Sequence, residues 1–341
     1  MDWNREKNDR VMPWKGEKDP YKIWLSEIIL QQTRVEQGLG YYQRFLLQFP
    51  DIQKLANAKE EKVYKLWEGL GYYTRCKNLI ETARFIGKKR NGIFPNTYPE
   101  ILALKGVGSY TAAAIASFAY NLPYAVVDGN VFRVLARVFG ITIPIDSSNG
   151  KIFFSELAFS LLDKKKPGIY NQSIMDFGAV VCKPVNPQCN TCPLKSICRA
   201  YKDSLQDQLP VKEKKIHIKK RWFNYFILEY GGKKLIRKRT SNDIWRNLHE
   251  FILIETNSEL SLKKILKKFE LEFRVRGSML DIKSVSENFS QNLSHQKIIG
   301  RFIELRLKKP VTLKGYKTVS PKEIRRYAFP GIINSYLITN P

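Results

Sequence analysis

The spacing of apolar residues along the chain changes near residue 220. Between residues 20 and 180, apolar positions recur every three or four residues, a pattern typical of amphipathic helices. One such segment starts with Asp19, a candidate capping residue, and Pro20, which is common in a first helical turn. No convincing alternation of apolar and polar residues occurs before residue 220. We therefore predict that the first part of the chain is nearly all α-helical.

Beyond residue 220 the pattern favours strands. Two β-rich runs are joined by Gly231 and Gly232, which predicts a hairpin. Further strands are predicted in the stretches WRNLHEFILIE and KIIGRFIELRLKK, whereas SELSLKKILKKFEL has helical spacing. These patterns predict an α+β domain at residues 221–341, after an all-α region at residues 1–199 and a charged linker at residues 200–220.

A glycine turn stands in the stretch LKGVGSYTAAAIASFAY, between two predicted helices. Gly106 and Gly108 leave the backbone at the start of the second helix open, and the unpaired N–H groups of a helix N-terminus bind anions. A helix-hairpin-helix of this kind grips DNA phosphates without reading sequence. The alternative is an αα-hairpin that needs glycine only for its sharp turn.

Charge and composition narrow the class of partner. The chain has 58 Lys and Arg against 32 Asp and Glu, a net charge of +26, and 43% hydrophobic residues. Such a charge favours a polyanionic partner, although a generally basic composition that serves solubility is the alternative. The polar start is not a signal peptide, and the least polar stretch, residues 110–127, predicts a buried helix. We expect a cytoplasmic protein with no membrane partner.

Four of the five cysteines lie within 17 residues, with the spacing C-x6-C-x2-C-x5-C. They are Cys182, Cys189, Cys192 and Cys198. Without a secretory signal, this crowding favours a metal site over disulfides. Four thiolates suit either tetrahedral zinc or an iron–sulfur cluster, and the spacing leaves both open. Cys76, far upstream, is predicted to be an ordinary buried thiol.

Two carboxylates are candidates for acid–base chemistry. Glu27 lies on the apolar side of its predicted helix, since it is four residues from Ile23 and three from Trp24. Burial there would raise its pKa and suit a general acid; the alternative is a side chain that reaches solvent at the edge of the stripe. Asp128, in VVDGN, is either a helix cap or a carboxylate that faces a developing cation. One protonated and one ionised carboxyl are the usual equipment for glycosidic cleavage.

Several stretches together closely resemble the helix-hairpin-helix DNA glycosylases that carry an iron–sulfur cluster, and within them the MutY-type adenine DNA glycosylases. The stretches are WLSEIILQQT, LWEGLGYYTRCKNL, GVGSYTAAAIASFAY, AVVDGNVFRVLARVFG, NQSIMDFGAVVCKP and the cysteine spacing. The resemblance is dense over about residues 10–200 and looser in the second domain, which resembles the family's Nudix-like lesion-recognition domain. It implies a 4Fe–4S cluster on the four clustered cysteines.

The resemblance also implies roles for individual residues. Glu27 would protonate adenine at N7, Asp128 would stabilise the sugar cation, and Tyr110 and Asn130 would position the site. The residues that would contact DNA are Gly106 and Gly108 at the turn, Gln32 and Tyr72, which would enter the duplex, and Ser294 and His295, which would contact 8-oxoguanine. The residues that would line the adenine pocket are Trp14, Leu30 and Gln172. For Trp14, Leu30 and Tyr72, a plain core role is the alternative.

This sequence departs from the family pattern in places. Leu293 replaces a phenylalanine before Ser294 and His295, which bears on how strongly 8-oxoguanine is preferred over guanine. Lys105 replaces a proline before the glycine turn and adds a cation there. The second domain lacks a nucleotide pyrophosphatase motif, so that activity is not expected.

Tyr110 bears on the reaction. Relatives that also cut the DNA strand have a lysine at this point, because an amine is needed to form a Schiff base with the sugar. We therefore expect a monomeric, monofunctional glycosylase that acts on double-stranded DNA with adenine opposite 8-oxoguanine or guanine. The alternatives are a glycosylase-lyase for oxidised pyrimidines and a non-catalytic iron–sulfur DNA-binding protein.

Overall fold

The computed structural model describes residues 1–213 and 218–340, and the chain divides into two compact units. Unit 1 comprises Met1–Asn57 and Asn78–Lys215, and unit 2 comprises Ala58–Lys77 and Ile216–Pro341. The domain boundaries drawn from the sequence remain a prediction. Within the predicted linker, α12 occupies Arg199–Lys202, β1 begins at Lys219, and residues 214–217 lie outside the described residues.

The described part of the chain before residue 219 is helical, as predicted. The helices are α1 Asp2–Glu6, α2 Pro20–Leu30, α3 Val35–Gln48, α4 Ile52–Ala56, α5 Glu60–Trp67, α6 Tyr73–Lys89, α7 Tyr98–Leu102, α8 Ser109–Tyr120, α9 Gly129–Phe139, α10 Ser148–Leu161, α11 Pro167–Val180 and α12 Arg199–Lys202, with a 3₁₀ turn at Cys189–Thr191. The α2 helix begins as the sequence predicts, because the Asp19 carboxylate accepts a hydrogen bond from the Tyr21 amide (2.9 Å). Among the described residues, no helix is long and apolar enough to cross a membrane.

Helix α8 is central to unit 1. Its alanines Ala112, Ala113, Ala114 and Ala116 are buried, and α8 packs against α2, α7 and α11. Small side chains let helix backbones approach closely, so the alanine-rich pattern is a packing surface rather than a membrane segment. Helix α9 packs against α10, α11 and α12. These contacts bring the N-terminal ends of α8 and α9 to the cavity described below.

Unit 2 contains a mixed sheet, which confirms the predicted α+β character. Its strands and helices are β1 Lys219–Tyr230, β2 Lys233–Lys238, β3 His249–Glu250, β4 Ile252–Thr256, α13 Leu262–Phe273, β5 Leu280–Val285, β6 Phe289–Asn292, β7 Gln296–Leu307, β8 Lys317–Val319, α14 Pro321–Ile324 and α15 Gly331–Thr339, with a 3₁₀ turn at Gly277–Met279. The strand order is β3-β2-β1-β7-β5, with β4 on β1, β6 on β7 and β8 on β2. The predicted hairpin is formed by β1 and β2, and β1 pairs with β7 in parallel.

Alternate residues of the central strands face two different helices. Phe226 of β1 stacks on Phe269 of α13 with ring centroids 4.3 Å apart. Phe302 of β7 stacks on Tyr336 of α15 at 4.0 Å. Because successive strand residues point to opposite faces, α13 packs on one face of the sheet and α15 on the other. The result is an α+β layer structure of the kind expected for a Nudix-like domain.

The segment Ala58–Lys77 comes early in the chain but packs in unit 2. Glu68 accepts a hydrogen bond from the Phe329 amide (2.8 Å), and the Lys65 ammonium donates to the Tyr327 carbonyl (3.1 Å). These contacts place the end of α5 beside the segment between α14 and α15. Sequence order alone gives no sign of this pairing.

Candidate functional site

One cavity of unit 1, of about 200 Å³, contains all four residues to which catalysis was attributed. We call it the carboxylate pocket. Its lining residues are Arg10, Met12, Trp14, Ile23, Ser26, Glu27, Leu30, Thr33, Val35, Tyr110, Phe118, Asp128, Asn130, Gln172 and Met175. The three predicted base-pocket residues thus line the same cavity as the two carboxylates.

Glu27 is buried in this pocket, with 6% of its surface exposed. It therefore does not reach solvent, which excludes the alternative considered from the sequence. Burial raises its pKa to about 7, the hydrogen bond from the Tyr110 hydroxyl opposes the rise, and the nearby charge of Asp128 adds to it. The Glu27 carboxyl is therefore substantially protonated near neutral pH.

Asp128 both caps a helix and lines the pocket. Its Oδ1 accepts a hydrogen bond from the Val131 amide (2.8 Å) at the start of α9, and its Oδ2 accepts one from the Asn130 side-chain amide (2.7 Å). Burial raises the pKa of Asp128, whereas Val131, Asn130 and the charge of Arg133 oppose that rise. The capping role that competed with a catalytic one in the sequence is therefore compatible with it.

Arg133 orients the amide of Asn130 and was missed in the sequence. Its Nη2 donates to Asn130 Oδ1 (2.8 Å), so the amide nitrogen of Asn130 is left to face Asp128. The same guanidinium donates to the Gly178 carbonyl (2.6 Å) and to the Cys182 carbonyl (2.7 Å). The only signal in the sequence was the helical spacing of three residues between Asn130 and Arg133.

The N-terminal segment forms one wall of the pocket. Trp14 packs edge-on against Tyr42, with ring centroids 5.4 Å apart. Arg10 and Lys15 form ion pairs with Asp176 (2.8 and 3.2 Å), a carboxylate of α11 that is fully buried. Helical spacing predicted the elements, but it contained no sign that this irregular segment returns over the pocket.

The four clustered cysteines are half-buried free thiols at the end of unit 1. Arg137 connects two of them: its Nη1 lies 3.5 Å from Cys182 Sγ, and its carbonyl accepts from Cys198 Sγ at 3.5 Å. Burial, and then the charges of Cys182 and Cys198, raise the pKa of Cys189, so these thiols are within electrostatic reach of one another. Over residues 1–213 and 218–340, no group of three or more His, Cys, Asp or Glu is arranged as a metal site. The donor set itself, four cysteines in one segment, fits an iron–sulfur cluster.

The glycine turn joins α7 to α8 as predicted. Gly106 has a φ of 80°, and a Cβ there would lie 2.7 Å from the Asn78 side chain. A Cβ on Gly108 would meet nothing within 4 Å, and Gly108 is the uncapped N-cap of α8. Gly106 therefore serves the turn, and Gly108 leaves the helix N-terminus open to a ligand. Lys105 beside it forms an ion pair with Glu81.

A second cavity, of about 520 Å³, lies within unit 2. We call it the loop cavity. Three segments line it: residues 69–77, residues 242–247 and residues 291–296. The hydroxyls of Tyr72 and Ser294 hydrogen bond to each other there, and Leu293 and His295 are part of the same wall. The structure therefore brings together three of the residues predicted to contact DNA, although they come from distant parts of the sequence.

Gln32 and Tyr72 share an unusual backbone. Both are exposed, and both have positive φ values, 57° and 48°. Non-glycine residues rarely adopt this conformation, which stores strain and is concentrated at functional sites. The Tyr72 turn is held by Trp67 Nε1, which donates to the Gly71 carbonyl (3.0 Å), and by Arg75, which lies 5.2 Å from the Tyr72 ring centroid.

Comparison with known proteins agrees with this geometry. The family model of the HhH-GPD superfamily base excision DNA repair protein matches residues 25–148, which include α8, its glycine turn and both carboxylates. A solved structure of a thermostable thymine-DNA glycosylase is 30% identical, with a TM-score of 0.54 over 59% of this chain and 92% of that one. The fold expected for the helical part of the chain is thereby confirmed.

Two relatives extend the comparison into unit 2. An adenine DNA glycosylase of Buchnera aphidicola subsp. Baizongia pistaciae is 40% identical over 258 residues, 74% of this chain and 71% of the relative. That of Buchnera aphidicola subsp. Schizaphis graminum is 36% identical over 258 residues, 75% of this chain and 74% of the relative. The predicted resemblance is confirmed. This chain belongs to the adenine DNA glycosylases, helix-hairpin-helix enzymes of base excision DNA repair.

Proposed function

We propose that this protein is a monofunctional DNA glycosylase that hydrolyses the N-glycosidic bond of adenine opposite 8-oxoguanine or guanine. The observation that carries the proposal is the pair of carboxyls in one pocket. Burial raises the pKa of Glu27 to about 7, whereas the burial that raises the pKa of Asp128 is opposed by hydrogen bonds from Val131 and Asn130 and by the charge of Arg133. Two carboxyls in different environments divide the roles of acid and cation stabiliser.

Glu27 acts as the general acid. A protonated Glu27 donates its proton to N7 of the adenine, so the electron pair of the C1′–N9 bond leaves with a neutral base. Tyr110 supports this role. Burial, and then the charges of Glu27 and Asp128, raise the pKa of Tyr110 well above its usual value of 10, so its hydroxyl keeps its proton and remains a donor. It holds the Glu27 carboxyl in position and does not compete for the proton.

Asp128 stabilises the sugar cation that forms as the base departs. Its two oxygens are fixed by Val131 and Asn130, and Asn130 is itself fixed by Arg133. A carboxylate held in this way needs no reorganisation when positive charge develops at C1′. Water then completes the hydrolysis, directly or after a covalent bond between Asp128 and C1′.

Tyr110 is the reason for proposing that the enzyme removes the base without cutting the strand. Strand cleavage through a Schiff base requires an amine next to C1′, and this position of the pocket has a phenol instead. The product is therefore a free adenine and an abasic, unbroken strand.

The four cysteines are proposed to hold a 4Fe–4S cluster. When bound, the cluster would join four points of the segment between α11 and α12 through iron–thiolate bonds. Arg137 would lie beside two of the ligands, and Arg133 links the same segment to Asn130. Arg133 and Arg137, both on α9, keep the cysteine segment packed against that helix.

DNA recognition is proposed to involve both units. Gly108 offers the open α8 N-terminus to a phosphate, and the strained Gln32 and Tyr72 turns enter the duplex around the mispair. Extrusion of the base costs a few kcal/mol, least at a mismatch. Ser294 and His295 are proposed to contact 8-oxoguanine. We further propose that the protein is a monomer that acts on DNA in the cytoplasm.

Single-turnover cleavage of a labelled duplex with one adenine opposite 8-oxoguanine tests this function. Half of each sample is treated with hot alkali, and a duplex with a damaged pyrimidine serves as the control. We expect strand breaks at the adenine only after alkali. Breaks without alkali, or only in the pyrimidine duplex, would assign a lyase instead, and tight binding without any breaks would assign a non-catalytic protein.

A further inference from the structure

The loop cavity has a wall to which no role has been assigned. Residues 242–247, between β2 and β3, line it together with the segment that contains Ser294 and His295. Asn242, Asp243 and Arg246 are its exposed polar residues. A cavity of about 520 Å³ is within the range of pockets that hold a small molecule, and it has room for more than a base alone.

Two arginines, the buried Arg239 and the partly buried Arg221, hold this wall in place. Arg221 forms a bidentate ion pair with Asp243, with Nη1–Oδ1 and Nη2–Oδ2 distances of 2.9 and 2.7 Å. Arg239 adds a contact to Asp243 (3.3 Å) and donates to the Ile244 carbonyl (3.2 Å). Burial raises the pKa of Asp243, but the hydrogen bonds and charge of Arg221 outweigh it and lower the pKa overall. The single carboxylate of this wall is therefore neutralised by its own neighbours.

Arg221 also connects this wall to the segment that contains His295. Its Nη1 donates to Oε1 of Gln296, which directly follows His295 in the chain (3.0 Å). Its Nε donates to Glu255 of β4 (2.6 Å). The Lys219 amide donates to the His295 carbonyl (3.0 Å). The start of β1 thus fixes both sides of the cavity relative to each other.

The backbone of residues 242–247 is strained as well as fixed. Trp245 and Asn247 have φ values of 61° and 73°. Trp245 is buried edge-on against Phe223, with centroids 5.8 Å apart, and the Asn247 amide donates to the Tyr64 hydroxyl (2.8 Å). Strained residues persist where the surroundings over-determine them, and they are concentrated at ligand sites. A loop so constrained is ready to bind without further ordering, which favours affinity.

Arg246 lies between Trp245 and Asn247 in the chain and is a candidate for ligand binding. Its Nη1 donates to Asn242 Oδ1 (3.3 Å), and within residues 1–213 and 218–340 no carboxylate lies within ion-pair distance of it. An exposed guanidinium beside a neutralised carboxylate presents net positive charge to the cavity. Planar guanidinium groups bind phosphate oxygens in a bidentate manner.

Building on the function proposed above, we propose that Arg246 binds a phosphate of the DNA strand opposite the target adenine, and that Arg221 positions it through Asp243. Residues 242–247 are then the backbone-binding wall of the loop cavity, while Tyr72, Ser294 and His295 form its base-facing wall. A phosphate contact adds affinity for every duplex and does not discriminate between bases.

The test measures binding of a duplex that is not cleaved. The target is 2′-fluoro-2′-deoxyadenosine, whose fluorine disfavours the sugar cation, placed opposite 8-oxoguanine or guanine. Dissociation constants are measured over a series of salt concentrations for the wild type, Arg246→Ala, Arg246→Lys and Asp243→Asn. Arg276→Ala is the matched control, because Arg276 is an exposed arginine of unit 2 that does not line the cavity.

We expect Arg246→Ala to weaken binding of both duplexes about tenfold and to lower the slope of log K against log salt by about one. Arg246→Lys should restore the slope, and Asp243→Asn should give a smaller loss in the same direction while the melting temperature shows a folded protein. A loss no larger than that of Arg276→Ala would overturn the proposal, as would a loss confined to the 8-oxoguanine duplex. Release of adenine from an unmodified duplex is measured in parallel, so a wild type that binds but does not excise would refute the proposed function separately.

Discussion

The carboxylate pocket of unit 1 and the loop cavity of unit 2 differ in how they use burial. In the first, Glu27 is 6% exposed, and burial shifts the proton affinities on which the chemistry depends. In the second, Tyr72 is 46% exposed and His295 is exposed too. Bond cleavage requires groups with altered pKa values, whereas recognition requires donors that are held in place but open to the ligand.

The two sites also differ in what holds them. Helix termini position the carboxylate pocket, since Asp128 caps α9 and Tyr110 lies in the first turn of α8. The loop cavity is held by strained turns and by the ion pairs of Arg221. Substitutions in the first site should therefore change rates, and substitutions in the second should change binding and preference.

The largest effect is expected for Glu27→Gln. An amide cannot donate the proton to N7, so the single-turnover rate should fall about 10²–10⁴-fold. In the wild type, the rate should be highest below pH 7 and fall about tenfold per unit above it, because the acid must be protonated and its pKa is about 7. A pH-independent rate across pH 5–9 would contradict the assignment. Binding of the uncleaved duplex serves as the control and should change little.

Asp128→Asn is expected to lower the rate about 10²–10³-fold, because a preorganised charge is lost where the sugar cation develops. Ground-state binding should remain close to that of the wild type, since the charge matters only as the cation forms. Rates are measured under single-turnover conditions and affinities on the uncleaved duplex. Equal losses in both would place Asp128 in binding rather than in catalysis.

Glu27→Gln should also stabilise the protein at high pH. The folded pKa of Glu27 is raised from about 4.5 to about 7, so its contribution to stability is greatest below pH 4.5 and is lost as the pH rises through 7. A neutral glutamine avoids that loss, worth about 3 kcal/mol at 1.36 kcal/mol per pKa unit. The variant should therefore melt several degrees higher than the wild type at pH 8, but not at pH 4.5. The same difference at both pH values would refute the buried-acid interpretation.

His295→Ala should have the smallest effect of the four. Loss of one hydrogen bond to the opposite base is worth about 0.5–1.5 kcal/mol, so the preference for 8-oxoguanine over guanine should fall roughly twofold to tenfold. The rates on both duplexes are compared, with Arg246→Ala as the contrast, because its effect should be the same on both. An unaltered ratio would remove His295 from lesion recognition.

The sequence was a good guide where chemistry and local structure coincide. Helical spacing predicted that Glu27 lies on an apolar side, and the Asp-Gly pair predicted a helix start at Asp128. Strand patterns predicted the β1–β2 hairpin, and helical spacing predicted α13. Each of these signals depends on residues within about one helical turn or one hairpin of each other, the range over which backbone preferences act.

The remaining features depend on contacts between distant residues. Arg10 reaches the carboxylate pocket through Asp176, 166 residues later, and Tyr72 meets Ser294, 222 residues later. Arg221 joins Asp243 to Gln296 across the sheet. The side chains involved are common polar types with no periodicity, so no local pattern marks them.

The amino-acid sequence by itself determined the helical and α+β elements, the cysteine donor set and the identity of the two carboxylates. Only the tertiary structure decided that Glu27 is buried enough to carry a proton at pH 7, that Asn130 is turned toward Asp128 by Arg133, and that residues 242–247 line one cavity with the Tyr72 turn. The reason is physical: propensity and periodicity act along the chain, whereas desolvation, hydrogen-bond orientation and cavity shape depend on whatever the fold brings alongside.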